Sequence, residues 1–454
     1  MENGTQLPNS EGLSRRQKKA KEKREQAIKW LKQGIWLYFF LLIFEGALRK
    51  WVLPGLSEAL LIIRDPIGIA MILLAWQRNL FPRVTYVTWM FIIGVLAIFT
   101  ALFLGHGNLF VSLFGARILL IHFPLIFIIG TFFEKEDVIK MGKIVVWISI
   151  PMAVLIALQF YSPQSALVNR GVGGNMSGSG FSGAMGYFRP SGTFSFTNGT
   201  TLFFSMAASF IFYFWLSPRQ MNRIILLGAT VGLLLAIPLS ISRGLTFSVV
   251  VIMAFMLFIV SRNPKFLGQI IIAGVGIMIA MLFVGKADFF TTAIDVMAAR
   301  FENAARSEGG LEGTLGDRYL GGMIEAVATS LDMPFFGQGI GMGTNAGSAL
   351  LSGGRTFLIS EGEWGRLIGE MGALMGLSVI AIRLIISWKL FIASFYRMRV
   401  GEILPWMLLS FALLVFPQGQ WAQPTTLGFS TMIIGLLIAS FNKEDGVLKK
   451  ENRG

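Results

Sequence analysis

The sequence contains no cysteine and only two histidines among its 454 residues. The absence of cysteine excludes disulfide bonds, thiol nucleophiles and cysteine metal sites. The two histidines, His106 and His122, are isolated in the sequence and cannot make a metal site between them. Any catalysis must therefore depend on arginine, lysine and carboxylate side chains.

Charged residues are also scarce. They make up 14% of the chain, against about 25% of an ordinary soluble domain. Hydrophobic residues make up 54% and the mean hydropathy is +0.66, values that exclude a soluble globular protein. The net charge of +14 would indicate nucleic acid in a soluble chain, but in a membrane protein the positive residues mark the cytoplasmic side.

Long apolar stretches are plentiful. Segments of about 17 to 25 residues, long enough to cross the hydrocarbon layer, predict roughly twelve transmembrane helices. They lie near residues 34–53, 57–76, 85–104, 110–132, 144–160, 199–217, 223–240, 244–261, 269–285, 367–388, 403–417 and 425–441. The sequence therefore predicts an all-α, polytopic membrane protein of about 12 transmembrane helices.

Basic residues give these spans an orientation, because cytoplasmic loops are enriched in lysine and arginine. Every second connection holds at least two of them: Arg78 and Arg83; Lys135, Lys140 and Lys143; Arg219 and Arg223; Arg262 and Lys265; Lys389, Arg397 and Arg399. Both termini are therefore predicted to be cytoplasmic. The basic run SRRQKKAKEKREQ precedes the first span and contains no aromatic residue, which favours an anchor near anionic lipid over a nucleic-acid arm. We expect no nucleic-acid partner.

The predicted organisation has five parts. They are a basic cytoplasmic N-terminal segment (1–32), membrane spans 1–9 (33–285), an external helical cap loop between spans 9 and 10 (286–365), membrane spans 10–12 (366–441) and a cytoplasmic tail (442–454).

Two external intervals are long enough to carry function. The first, 161–198, is rich in glycine and serine. The second is the cap loop, and its beginning, DFFTTAIDVMAARFENAAR, predicts a helix lying on the membrane surface. Its apolar residues recur at helical spacing at Phe290, Ile294, Met297 and Phe301. A second cap helix is predicted over LGDRYLGGMIEAVATSLDM, before Pro334 and a run of glycines.

Charged residues collect on the external side in a small set. The arginines are Arg189, Arg243, Arg318 and Arg366, and the neighbouring carboxylates are Glu361, Glu363 and Glu370. A charge at membrane depth costs about 2.5 to 3.5 kcal/mol, so such residues tend to face a polar cavity or a partner. The set predicts a site at the external face, although any one arginine could instead be an interfacial residue or part of a structural ion pair.

Two local patterns refine this prediction. Arg243 lies in SISRGL, a tight turn at the start of a helix, where a guanidinium and backbone N–H groups together suit a phosphate. Glu363, Arg366 and Glu370 are spaced by three and four residues, so an ion-pair ladder along one helix face is an alternative for those three. Glu361 precedes the helix and lies outside this ladder.

Two other motifs receive structural interpretations. The glycine run in PFFGQGIGMG lacks the strand and βαβ setting of a dinucleotide loop, so close helix packing or a tight turn is the preferred interpretation. Arg64 and Asp65, inside the second span, are predicted to form a neighbouring structural pair near its cytoplasmic end.

The order of the motifs resembles a known family. FRPSGTFSFTNGT, SISRG, GDRY, DMPFFGQGIGMG and EGEWGRLIGEMGALMG follow one another over roughly residues 180 to 385, and this order is similar to that of the bacterial O-antigen ligase and O-antigen polymerase superfamily. Its members are inner-membrane glycosyltransferases of the GT-C type. The resemblance implies transfer of an oligosaccharide from an undecaprenyl pyrophosphate carrier to an acceptor glycan, at the external face of a bacterial plasma membrane. Polysaccharide chain-length and export machinery are further implied partners.

The resemblance also implies roles for individual residues. Arg243 and Arg318 match the arginines that hold the carrier's pyrophosphate, and Arg189, Arg366 and Glu363 are candidates for substrate binding. The superfamily usually has a histidine at the position of Glu361, which makes Glu361 the candidate general base. A glutamate can accept a proton but cannot donate one to pyrophosphate as an imidazolium would. This departure favours a polymerase over a ligase.

No metal and no organic cofactor is expected, because bidentate arginines can neutralise a pyrophosphate. The main alternative is a secondary transporter or a flippase for lipid-linked sugar, also built from about twelve helices. Such proteins place ionisable or helix-breaking residues near the bilayer midplane in related halves. The charges of this sequence instead collect at one face beside a long loop.

Overall fold

The structure is a computed structural model that describes residues 15–284, 288–308, 321–353, 358–360 and 362–442. It is all-helical, with 77% helix and no strand among these residues, which confirms the all-α part of the predicted fold class. The α-helices are α1 (Arg15–Ala47), α2 (Ser57–Leu60), α3 (Arg64–Gln77), α4 (Thr85–Phe103), α5 (Leu109–Arg117), α6 (Phe123–Phe132), α7 (Lys135–Tyr161), α8 (Thr197–Leu216), α9 (Arg223–Leu239), α10 (Arg243–Arg262), α11 (Leu267–Val284), α12 (Asp288–Glu308), α13 (Gly322–Ala328), α14 (Asn345–Ser352), α15 (Glu363–Arg399), α16 (Leu404–Val415) and α17 (Pro424–Ala439). Two π-helical turns, Leu48–Val52 and Ile118–His122, follow α1 and α5.

The described helices fit a multi-pass membrane protein. Seven are long and apolar enough to cross a bilayer: Arg15–Val52, Thr85–Phe103, Leu109–Phe132, Lys135–Tyr161, Thr197–Leu216, Arg243–Arg262 and Glu363–Arg399. A bent pair, Pro54–Leu60 with Arg64–Gln77, would make an eighth span. Four other apolar helices are shorter, at Arg223–Leu239, Pro264–Gly276, Leu404–Val415 and Pro424–Ala439. The number of about twelve spans stays a prediction.

Helices α8 and α17 form the centre of the bundle, and nearly all of their side chains are buried. Helix α17 packs against α6 through two reciprocal glycine contacts. A Cβ atom on Gly130 would lie 2.6 Å from Ile438, and a Cβ atom on Gly435 would lie 2.6 Å from Ile129. Small residues at such crossings let two helix backbones approach closely, which is how helices associate where apolar burial gives little driving force.

Polar contacts show that connections predicted to be cytoplasmic meet at one end of the bundle. Lys32 Nζ lies 2.7 Å from Asp137 Oδ2 at the start of α7. Lys135 Nζ lies 3.9 Å from Glu402 Oε1 in the connection between α15 and α16. The glycine-rich interval, the turn between α9 and α10 and the start of α15 gather at a cavity away from this basic end.

Arg64 and Asp65 do not pair with each other. Arg64 Nε lies 3.2 Å from Glu45 Oε2, and Arg64 Nη2 donates to Pro424 O at the start of α17. Asp65 Oδ2 lies 2.7 Å from Arg117 Nη1. Arg64 therefore lies towards the end of the bundle that holds the cavity, because α17 starts beside the cavity; the side of the membrane on which this pair lies stays a prediction. A structural role fits, since each buried charge has a partner from another helix.

The segment between α11 and α15 forms short helices where it is described. Helix α12 lies where the first helix of this segment was predicted, and it buries Ala293, Val296 and Met297 while Ile294 and Phe301 stay exposed. Its place in an external cap stays a prediction. Helix α13 is shorter than the predicted second helix, and α14 has no counterpart in the sequence prediction.

Candidate functional site

A cavity of about 740 Å³ lies at the end of the bundle away from the basic loops. Its wall comes from the interval before α8, the turn between α9 and α10, α12, the start of α15 and the connection between α16 and α17. The polar side chains on this wall are Arg189, Asn198, Ser242, Arg243, Arg300, Glu363, Gln418, Gln420, Gln423 and Thr426. The volume lies within the range of about 300 to 1,000 Å³ that is usual for small-molecule sites.

Three of these residues, Arg189, Arg243 and Arg300, are named the arginine wall here. Arg243 is the first residue of α10, as the sequence predicted. Ser242 caps the helix, because its Oγ accepts a hydrogen bond from Leu245 N, and it also contacts Thr201 Oγ1 of α8 at 2.8 Å. The guanidinium therefore stands at the positive end of a helix whose turn is fixed to a neighbouring helix.

Arg189 is positioned by a small hairpin. Its backbone N–H donates to Phe181 O at 2.8 Å, and Gly183 N donates to Tyr187 O at 2.9 Å. The sequence indicated only a glycine- and serine-rich loop here, because the hairpin has no alternating apolar pattern. A hairpin of this size needs support from its surroundings.

Lys50 supplies that support from the π-helical turn after α1. Its buried ammonium donates to Ser191 Oγ at 3.1 Å, to Gly192 O at 2.7 Å and to Phe194 O at 2.8 Å. The ammonium group thus donates three hydrogen bonds to the segment that follows Arg189, and three is the full number that an ammonium group can donate. The predicted external loop is thus tied to the membrane helices.

Arg300 comes from α12 and was not identified from the sequence as a site residue. It is half-buried, and its Nη1 donates to Gly183 O over a long distance of 3.5 Å. The helical period gives a signal that could have found it. Arg300 follows Met297 by three residues and precedes Ala304 by four, so it lies on the buried face of an amphipathic helix.

The arginine wall is a region of concentrated positive charge. Burial lowers the pKa of Arg189 from its usual value, and the positive charges of Arg300 and Arg243 lower it further. Arginine nevertheless stays protonated in proteins. The Nε of Arg189 is buried and has no hydrogen-bond partner among the described residues. A bound anion would relieve both the repulsion and the missing hydrogen bond.

Glu363 also lines the cavity, but its carboxylate is already bound. Arg366 Nη2 lies 2.9 Å from Glu363 Oε1, and Arg366 Nη1 lies 2.6 Å from Glu370 Oε2. The ion-pair ladder is therefore confirmed, and it is buried and extended by Arg383, whose Nη1 lies 2.7 Å from Glu363 Oε1. Arg366 does not line the main cavity. We assign Arg366 and Glu370 to this buried network.

The glycine run packs against a break in α15. Gly372 has φ +75° and ψ 174°, which interrupts the helix. Two carbonyl groups beside the break accept hydrogen bonds from the glycine-rich segment, from Gln338 N to Gly369 O at 2.8 Å and from Gly339 N to Glu370 O at 2.9 Å. The segment thus satisfies acceptors that a helix end leaves open. Close packing, the preferred interpretation of PFFGQGIGMG, is confirmed.

Two predicted catalytic residues, Glu361 and Arg318, lie outside the described residues. The described neighbours Gly362 and Gly322 line the cavity. In the described part of the chain, no group of three or more His, Asp or Glu side chains is placed to hold a metal ion. Comparison of the chain with protein-family models, curated proteins and solved structures returned no significant match.

Proposed function

We propose that this protein is a membrane glycosyltransferase that moves an oligosaccharide from an undecaprenyl pyrophosphate carrier to an acceptor glycan, as a polysaccharide polymerase. The observation that carries the proposal is the arginine wall, three guanidinium groups from three separate parts of the chain on one cavity. A diphosphate needs several positive donors at once, and guanidinium groups match its oxygens with two parallel hydrogen bonds.

The placement of charge supports an active site on the external face. Basic residues are enriched in the connections at the end that holds Lys135 and Glu402, and the arginine wall lies away from that end. By the preference of lysine and arginine for cytoplasmic loops, the cavity opens outside the membrane. A carrier lipid in the outer leaflet would place its pyrophosphate at the same depth in the membrane as the arginine wall.

The reaction balances without a redox step. The oxygen of an acceptor hydroxyl forms a bond to the anomeric carbon, and the bond from that carbon to the pyrophosphate oxygen breaks. The hydroxyl proton passes to a base, and the lipid pyrophosphate leaves with the bond's electron pair. The arginine wall stabilises the negative charge that grows on the leaving oxygen. A single in-line displacement of this kind inverts the anomeric configuration.

The base is best assigned to Glu361, next to the cavity-lining Gly362. Glu363 is a poor base, because three guanidinium hydrogen bonds and Trp421 N occupy its oxygens. Arg318 lies in the segment before the cavity-lining Gly322, and we propose it as a further ligand of the diphosphate.

The proposal is tested by the lipid-linked glycans of cells that lack the protein. We expect single repeat units to accumulate on undecaprenyl pyrophosphate outside the membrane. Wild-type protein and Arg306→Ala should clear them, since Arg306 is 80% exposed on α12 and lies away from the cavity, whereas Arg243→Ala should not. A normal glycan profile in the deletion cells would refute the proposal.

A further inference from the structure

The wall formed by the connection between α16 and α17 differs chemically from the arginine wall. Its polar groups are the side-chain amides of Gln418, Gln420 and Gln423, together with Asn198 from the first turn of α8. We name these four residues the amide wall. They carry no charge, and they are half-buried in the same cavity as the three arginines.

Among the described residues, one carboxylate, that of Glu363, lies on the lining beside the amide wall, but its charge is balanced. It shares a buried cluster with Glu370, Arg366 and Arg383, two carboxylates with two guanidinium groups. The cavity therefore has a strongly positive region and an electrically neutral, hydrogen-bonding region.

The same buried cluster holds the amide wall in shape. Arg383 Nε donates to Phe416 O at 2.7 Å and Arg383 Nη2 donates to Gly419 O at 3.0 Å. Its guanidinium also lies 4.0 Å from the centre of the Trp421 ring. Trp421 N donates to Glu363 Oε2 at 3.1 Å. These contacts fix the backbone of the connection on both sides of Gln418, which is the kind of support that a precise binding site needs.

The amides are partly linked to one another. Asn198 Nδ2 donates to Gln423 Oε1 at 2.6 Å and to Thr426 Oγ1 at 2.9 Å, and Gln423 Nε2 donates to Gln420 Oε1. Each amide has two donor hydrogens and two acceptor lone pairs. These described bonds use one donor hydrogen and one lone pair of Gln423, so this amide keeps capacity for a ligand. No described hydrogen bond uses the side chain of Gln418, which keeps its whole capacity for a ligand.

This chemistry selects one class of ligand. A sugar hydroxyl both donates and accepts hydrogen bonds, as a carboxamide does, whereas a phosphate at neutral pH mainly accepts and is better served by guanidinium groups. We propose that the amide wall is a carbohydrate subsite, which binds a neutral sugar of the glycan while the arginine wall binds the diphosphate. This inference rests on the proposed function for the identity of the whole substrate.

Binding measurements on the purified full-length protein in detergent test the division of the cavity. The probes are undecaprenyl pyrophosphate without sugar and the free oligosaccharide released by mild acid from the surface polysaccharide of the same cells. We expect Gln418→Ala to weaken oligosaccharide binding about 5- to 30-fold, the effect of losing one or two hydrogen bonds. Its affinity for undecaprenyl pyrophosphate should not change. Arg300→Ala should show the reverse pattern.

Gln77→Ala is the matched control, because Gln77 is an exposed glutamine at the end of α3 and does not line the cavity. An unchanged oligosaccharide affinity in Gln418→Ala, or an equal loss for both probes, would overturn the carbohydrate subsite. Failure of the wild-type protein to bind the oligosaccharide would overturn it as well. Oligosaccharide binding without any binding of undecaprenyl pyrophosphate would instead refute the proposed function and leave the subsite standing.

Discussion

Replacing Arg300 by alanine separates a role in anion binding from a role in folding. The side chain makes one described hydrogen bond, to Gly183 O at 3.5 Å, which is too long to contribute much to stability. A hydrogen bond from a charged group to a diphosphate oxygen contributes about 1.5 to 3 kcal/mol. We therefore expect Arg300→Ala to weaken binding of undecaprenyl pyrophosphate about 10- to 150-fold, at one decade for each 1.36 kcal/mol, with little change in melting temperature.

Arg306→Ala is the matched control for this experiment. Both arginines lie on α12, but the Arg306 side chain is 80% exposed and its nearest acid, Glu302, is 4.0 Å away. We expect Arg306→Ala to bind like the wild type, and Arg300→Lys to fall between wild type and Arg300→Ala, because lysine keeps the charge and loses the planar fork. Equal affinities for Arg300→Ala and Arg306→Ala would show that Arg300 is not part of an anion site.

The position of the cap segment, the identity of the general base and the break in α15 can each be tested with single substitutions. A cysteine at Leu331, which is 86% exposed, should react with a membrane-impermeant maleimide in intact cells, and labelling only after lysis would contradict an external cap. Glu361→Gln should slow transfer about 10²- to 10⁴-fold at unchanged melting temperature. Glu363→Gln should instead destabilise the protein by about 3 to 5 kcal/mol, because it breaks a buried network. The opposite pattern would identify Glu363 as the base. Gly372→Ala should destabilise the protein more than Gly401→Ala. Both glycines have positive φ, but only at Gly372 would a Cβ atom meet backbone, 2.0 Å from a carbonyl oxygen. Equal melting temperatures of the two variants would contradict this prediction.

The helices could be predicted from the sequence because a bilayer imposes one requirement on every residue that crosses it. A backbone without water must satisfy its own hydrogen bonds, so long apolar segments become helices. Span number is harder to predict, because α16 (12 residues) and α17 (16 residues) are buried among other helices and do not need full membrane length to be stable.

The candidate site was predicted in part. Arg243 and Arg189 could be singled out because an arginine beside an apolar span is costly without a partner or a cavity, and the structure places both on one wall. Arg300 was missed because the residues around it form an ordinary amphipathic helix, in which charged residues are expected. Only its helical spacing from the buried Met297 and Ala304 shows that it lies on the buried face. Arg366 lies in the buried ion-pair ladder with Glu363 and Glu370, which its spacing in the sequence had offered as the alternative to substrate binding.

The amide wall could not have been predicted from the sequence. Gln418, Gln420 and Gln423 stand in a short polar connection that resembles any loop between two spans. Their relation to the arginines depends on Arg383, which lies twenty residues beyond Glu363 along α15 and yet pairs with it. A long-range contact of this kind follows from the break at Gly372 and from the packing of α15 against α16, neither of which is visible in local patterns.

A transfer assay with the purified protein in liposomes distinguishes a polymerase from a flippase. Undecaprenyl-pyrophosphate-linked glycan from cells that lack the protein serves as both donor and acceptor. We expect longer glycans on the lipid, with one undecaprenyl pyrophosphate released for each bond formed, and no product from Arg243→Ala. Movement of intact lipid-linked glycan across the bilayer without release of undecaprenyl pyrophosphate would refute glycosyl transfer and identify a flippase.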